Sequence, residues 1–204
     1  MAYIDPMLTL HPNASRGRAN HGWLISAFSF SFADYYNPNK MGFRALRVIN
    51  DDIIRPATGF PTHSHHNMEI VTYVLSGELE HKDSTGHTSV ITHGTVQRMS
   101  AGSGIRHSEY NHSKTDDLHL LQIWLLPEAE GIEPGYEEKQ FSPSTFKNKL
   151  GLIASRDARE NSLTIHQNVS IYASQMDTGI ATRLSLAAGR HAWIQVADGT
   201  LTVN

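Results

Sequence analysis

Two short motifs, about forty residues apart, carry side-chain types that bind metal ions: His63-Ser64-His65 and His107-Ser108-Glu109. Each sits in a segment with strand character. Residues i and i+2 of a strand point to one face, so each motif aims two ligand-type side chains the same way. If the two strands face one another in a sheet or barrel, three imidazoles and one carboxylate converge. That set suits a divalent metal such as Fe, Mn, Ni, Co, Cu or Zn. A single motif means little: with thirteen histidines in 204 residues, roughly one His-x-His arises by chance. The pair, set among patterned glycines, means more.

Those glycines follow an order. Gly59 precedes the first motif, and Glu69 and Gly77 follow it; Gly94, Gly102 and Gly104 precede His107, and Asn111 follows. The order resembles the two consensus motifs of the cupin superfamily. Ser100 stands where the second motif usually has proline, and extra residues separate Gly102 from His107. These departures resemble the pirin family. Residues 60–73, FPTHSHHNMEIVTY, are similar to the pirin metal strand, and residues 99–111, MSAGSGIRHSEYN, to its second half. His21-Gly-Trp-Leu24, residues 31–36, Met41-Gly-Phe43 and residues 46–50 fit the same family. The resemblance spans nearly the whole chain.

What the resemblance implies is specific. The metal ligands are His63, His65, His107 and Glu109, which leave two adjacent positions open on an octahedral ion. Glu69 is the rival carboxylate: it shares parity with His63 and His65 if the strand runs unbroken, which would bring it near the metal or against its ligands. Asn111 continues the parity of His107 and Glu109, so it either orients a ligand or substrate or is an ordinary turn asparagine. His66 and Arg106 have the opposite parity and face away. His81, His87, His93, His112 and His119 read as surface or turn residues, and the isolated His166 and His191 as structural or surface residues that bind no metal. Phe43, Met68 and Met99 read as core, with a pocket-lining role as the alternative.

The metal expected from the resemblance is Fe(II), with Ni, Co, Mn, Cu or Zn compatible with the same ligands. Bacterial pirins resemble quercetin 2,3-dioxygenases, which cleave a flavonol with O₂ to a depside and carbon monoxide. Glu109 is then both ligand and catalytic base for the flavonol hydroxyl. The alternative implied by the eukaryotic relatives is a non-enzymatic iron-binding redox sensor that regulates transcription factors through a protein partner. An open apolar cavity beside the metal favours the enzyme.

Composition excludes other classes. Net charge is −3, so no basic field calls for nucleic acid. There are no cysteines, hence no disulfides and no thiolate ligands. No apolar run approaches the length of a membrane span. The first residues, MAYIDP, lack the basic-then-apolar pattern of a signal peptide. The expectation is a cytoplasmic protein.

The elements that must hold these residues read as short strands separated by turns, an all-β chain. Strands are expected over residues 43–49, 69–75, 78–82, 88–92, 95–99 and 118–126, with Asn50-Asp51-Asp52 closing the first and a hairpin at His93-Gly94. Residues 127–148 are polar and rich in breakers, so they read as a linker. By resemblance it joins two cupin-type β-barrels, a bicupin: a metal-binding domain over 1–126 and a second over 149–204. In the second, strands are expected over 162–166, 169–173, 183–186, 191–196 and 200–203, with a hairpin at Asp198-Gly199. Relative to the family this second barrel lacks its last strands. Open strand edges left by such a truncation invite pairing with another chain.

Overall fold

The computed structural model describes residues 8–203. The stretch read above as carrying no signal peptide, residues 1–6, lies outside them. Among the described residues there are fourteen strands and three short 3-10 turns, with no α-helix, and no helix long and apolar enough to cross a membrane.

Two antiparallel sheets make the body of the molecule. The larger has seven strands in the order β1 (Gly17–Asn20), β2 (Leu24–Phe28), β3 (Leu46–Ile54), β10 (Leu118–Leu125), β5 (Glu69–Ser76), β8 (Thr95–Ser100) and β11 (Gly135–Gln140). The smaller has four: β4 (Gly59–His65), β9 (Ile105–Asn111), β6 (Glu78–Asp83) and β7 (Thr88–Thr92). Their facing sides share two apolar clusters. Leu24, Ile54, Val74, Leu118 and Leu120 of the large sheet meet Leu79 and Ile91 of the small one. Ile70 and Met99 meet Ile105 at a second place, with Trp124 and Met68 against them. Each such side chain, fully buried, contributes about 1.5–3 kcal/mol.

A polar row also lies on the inner side of the large sheet. Register pairs Asn50 with Gln122, Gln122 with Thr72, and Thr72 with Gln97. All four are buried. They cross four adjacent strands on one line and hold the parity of the apolar residues Ile54, Ile70, Val74, Met99 and Leu120. Asp52 shares that face on β3 and is 2% exposed.

The outer side of the large sheet carries the rest of the chain. A three-stranded sheet, β13 (Leu163–Thr164), β12 (Gly151–Ser155) and β14 (Ser170–Ala173), packs Ile153, Leu163 and Ile165 on Val71, Val96 and Leu125. Polar contacts fasten it. The buried Glu69 carboxylate accepts from the His166 backbone N–H at 3.0 Å and lies 3.2 Å from its Nδ1. Arg98 donates to the Thr164 carbonyl at 2.9 Å.

Several expectations need correction. Asn50-Asp51-Asp52 does not close a strand, because β3 continues to Ile54. Asn50 and Asp52 point into the polar row, and Asp51 on the other face pairs with Arg16 and His119. The stretch 127–148 is not a plain linker: it holds β11, which pairs with β8 along its whole length. Its Glu137, Glu138 and Lys139 suit an edge strand, where charge is tolerated. Residues 183–186, 191–196 and 200–203 form no strand. Their apolar members Leu184, Leu186, Ile194, Val196, Leu201 and Val203 are exposed, and strand preference is realised only against a covering layer. Trp193 nevertheless docks, 4.8 Å from the Phe30 ring and 5.7 Å from Phe43. His191 meets Arg44 at 2.7 Å.

Glu69→Ala is expected to lose about 1–3 kcal/mol of stability, because His166 loses its acceptor inside the structure. Metal stoichiometry is expected to be unchanged. Urea unfolding together with metal analysis checks both. A folded variant that no longer binds metal would place Glu69 at the metal instead.

Candidate metal centre

The central strand of the small sheet positions the site. On β9, His107 and Glu109 alternate with exposed Arg106 and point into the interior. On one side of β9, His63 of β4 lies directly opposite His107. On the other, His81 of β6 lies opposite Glu109. The register of β4 slips between Phe60 and His63, so one extra residue is accommodated there. Pro61 sits in this bulge, a place where a residue without an N–H is tolerated. Because of the slip, Phe60, His63 and His65 all face inward despite their odd spacing. Gly59 permits the close approach: a Cβ there would stand 2.2 Å from the Glu109 carbonyl oxygen.

Three imidazoles converge. Ring centroids are 4.4 Å apart for His63 and His107, 4.8 Å for His63 and His65, and 5.0 Å for His65 and His107. The ligand nitrogens of all three lie within 4.8 Å of one another. A second grouping by the same measure is His81, His107 and Glu109, so His107 is common to both. Glu109 therefore joins the cluster from the side of His81 rather than at equal reach of all three histidines.

Hydrogen bonds decide which atoms are free. His63 Nδ1 lies 2.9 Å from the Pro61 carbonyl. A carbonyl only accepts, so Nδ1 carries the proton and Nε2 presents its lone pair. His107 is 1% exposed, yet neither ring nitrogen has a partner. Glu109 Oε2 accepts from Gln122 Nε2 at 2.8 Å, whereas Oε1 is buried without a partner. By contrast both nitrogens of His81 are engaged, with Asp83 Oδ2 at 2.9 Å and Gln97 Nε2 at 3.3 Å. Orphaned buried imidazole and carboxylate atoms are costly unless something satisfies them, and a divalent cation at this place satisfies both.

Electrostatics agree with a ligand role. Burial, then the neighbouring His107 and His63, lowers the pKa of His65 to about 4. Burial, then His63 and His81, lowers that of His107 to about 3. Both rings are neutral near pH 7, the form that ligates. Burial raises Glu109, opposed by His81 and His63 and by the Gln122 hydrogen bond. Burial pushes Asp52 up to about 7, with the charges of Asp51 and Glu109 adding to the shift.

The structure relocates other residues of the sequence reading. Glu69 does not reach the cluster. The strand breaks between His65 and Glu69, with Asn67 at φ 47°, so parity resets and Glu69 faces the outer sheet with Val71 and Tyr73. Asn111 ends β9 and its side chain is spent on the fold: its Nδ2 donates to the Ile54 and Asp116 carbonyls at 3.0 and 2.8 Å, and its Oδ1 accepts from Ser113 N–H. His66 and Arg106 face away, as expected. His81 is neither surface nor turn; it is fully buried beside Glu109. Its alternation with Leu79 on β6 is the signal that could have found it. Gln122 was missed as well.

A groove of about 300 Å³ is lined by Phe32, Tyr35, Met41, Met68 and Trp124 among others; none of the three clustered histidines lines it, and Trp124 is its link to His65. The Trp124 ring forms the shared wall, 4.9 Å from the His65 ring and nearly perpendicular to it.

Comparison with known proteins agrees with this geometry. The family model described as "Pirin" matches residues 11–125, and that described as "Quercetinase C-terminal cupin domain" matches 152–204. The chain is 50% identical over 198 residues to quercetin 2,3-dioxygenase of Escherichia coli strain K12, covering 97% of this chain and 84% of that one. The crystal structure of YhhW from E. coli superposes with a TM-score of 0.76 at 54% identity, covering 79% of this chain and 68% of that one. The structure of bacterial pirin YhhW in complex with nickel(II), also from E. coli, gives 0.74 at 54% identity, covering 78% and 68%.

Asp52→Asn tests the buried acid. A carboxyl raised to about 7 in the fold and near 3.8 when unfolded stabilises the protein fully below pH 3.8. That contribution is lost as pH rises through 7. The variant's stability relative to the parent is therefore expected to rise by about 1 kcal/mol per pH unit between pH 5 and 7, then level off. Urea unfolding at pH 5.5, 6.5, 7.5 and 8.5 checks this; a difference independent of pH contradicts it.

Proposed function

The chain belongs to the pirin family of cupin-fold proteins, and on that premise we propose that it is a metal-dependent quercetin 2,3-dioxygenase. The observation that carries the reading is the apolar, aromatic-lined groove placed against His65 through Trp124. A protein acting only as a redox sensor needs the metal but has no use for such a groove. The proposed ligands are His63, His65, His107 and Glu109, supported by the orphaned His107 nitrogens and Glu109 Oε1. His81, with both nitrogens occupied, is left out of the set. Iron is the proposed metal. The nickel complex of the E. coli relative supports a nitrogen and oxygen site that accepts more than one first-row ion. The proposed domains are a metal-binding cupin over 1–126, a connecting segment over 127–148 that also adds β11 to the edge of the first domain's sheet, and a second cupin over 149–204; the separate family-model matches support this division. A cytoplasmic location belongs to the same reading: a chain without cysteine has no disulfide that would need an oxidising compartment.

The substrates are a flavonol and O₂. Both oxygen atoms enter the product, the two ring bonds to C3 break, and C3 leaves as carbon monoxide, giving a depside. A divalent metal at the site supplies Lewis acidity toward the flavonol oxygens and a route for electrons toward O₂. The protein's own groups do the rest. Phe32, Met68 and Trp124 present apolar and aromatic surface to a flat substrate and exclude water from it. Glu109, whose Oε1 has no hydrogen-bond partner in the protein, would be both ligand and the base that accepts the 3-hydroxyl proton.

Anaerobic reconstitution with each metal, followed by quercetin turnover in air with detection of CO, tests the reading. Turnover is expected to require metal and to vanish in His63→Ala. Glu109→Gln is expected to keep part of the metal and lose about 10²–10⁴-fold in kcat, the usual size of general-base catalysis. Tight binding without turnover across Fe, Mn, Co, Ni and Cu would refute the enzyme.

A further inference from the structure

Behind Glu109 lie two linked side chains, Gln122 and Trp124, and the function above gives Gln122 no role. Trp124 Nε1 donates to Gln122 Oε1 at 3.1 Å, and Gln122 Nε2 donates to Glu109 Oε2 at 2.8 Å. The indole N–H is a donor only. It therefore takes the amide oxygen of Gln122 and turns the amide nitrogen toward Glu109. The orientation is not arbitrary: reversing the amide would set two donors against each other at the indole and two acceptors against each other at the carboxylate. Each reversal would forfeit a buried hydrogen bond.

We propose that Gln122, oriented by Trp124, is the positioning residue that makes the two oxygens of Glu109 inequivalent. It holds Oε2 and leaves Oε1 for metal and substrate. The proposal rests on the reading of Glu109 as ligand and base. It goes further by tying the carboxylate to the substrate groove, because the same indole lines that groove, stands edge-on to His65 at 4.9 Å and packs against Phe32 at 5.3 Å. An aromatic molecule seated on Trp124 is then also coupled to Glu109 through two hydrogen bonds. Neighbours hold Gln122 in line: Asn50 and Thr72 are its cross-strand partners on either side. A side chain that merely filled space here would not need one end to face an obligate donor and the other an anion.

The test uses the full chain loaded with cobalt(II), whose visible absorption reports the ligand field, alongside quercetin kinetics with the reconstituted enzyme. Gln122→Leu keeps the bulk and removes the donor. Trp124→Phe keeps a smaller aromatic wall and removes the N–H, which serves if Gln122→Leu does not fold. Both variants are expected to bind one equivalent of cobalt through the three imidazoles, with a visible band altered in position or intensity. For Gln122→Leu, kcat is expected to fall about 10–100-fold, the usual cost of losing a partner of a metal ligand. Its KM for quercetin is expected to stay within about threefold, since the amide does not line the groove. An unchanged cobalt spectrum and unchanged kcat in Gln122→Leu would overturn the proposal. A changed Gln122→Leu beside a Trp124→Phe with unaltered spectrum would overturn the part assigned to Trp124. Glu109→Gln in the same series separates the premise: if it too leaves the spectrum and turnover unchanged, Glu109 is not at the metal and the underlying reading fails.

Discussion

The structure turns on polar groups that have been taken out of water in the middle of a β-sandwich. His107 and Glu109 are buried on β9, and their free atoms have no hydrogen-bond partner in the protein. An uncompensated imidazole and carboxylate in such a place cost several kcal/mol. The apolar clusters around Leu79 and Ile105 carry that cost by holding the two sheets together. A cation held, as proposed, by His63, His65, His107 and Glu109 would offset much of it by engaging one His107 nitrogen and Glu109 Oε1. Stability and activity are therefore linked through one site: what the protein needs in order to be fully satisfied is also what lets it do chemistry.

The opposite wall is built for the same purpose. Asn50, Gln122, Thr72 and Gln97 form one row across four strands of the large sheet, facing the histidines of the small one. Gln97 and Gln122 each hold a specific partner, His81 and Glu109. With Asp83, Gln97 engages both nitrogens of His81, which sets that ring apart from the three whose lone pairs face one another. The polar row thus sorts four nearby imidazoles into three that are free to bind and one that supports them.

Much of this was legible in the sequence, and the remainder was hidden for physical reasons. His63, His65, His107 and Glu109 announce themselves because period-two spacing survives in any strand. The all-β class follows from closely spaced turns, and Gly77 and Gly94 do adopt the positive φ that such turns need. Glu69 misleads because its parity depends on a strand that breaks at Asn67. Phe60 and His63 share a face only through a bulge that spacing does not display. Gln122, Asn50, Thr72 and Gln97 look like unrelated polar residues until strand register sets them side by side, and register is a property of the sheet rather than of any one segment. β11 reads as linker because an edge strand can be as polar as a loop. The alternating residues beyond 180 read as strands because alternation states a capacity for pairing, which is realised only when a partner and a covering layer are present.

One cation is proposed to sit among His63, His65, His107 and Glu109 and not between His81, His107 and Glu109. Anomalous diffraction from crystals of the nickel-loaded protein decides between them. A single anomalous peak is expected about 2.0–2.2 Å from a ring nitrogen of each of His63, His65 and His107 and from Glu109 Oε1, with His81 still bound to Asp83 and Gln97. A peak coordinated by His81, with His63 or His65 left unligated, would contradict it.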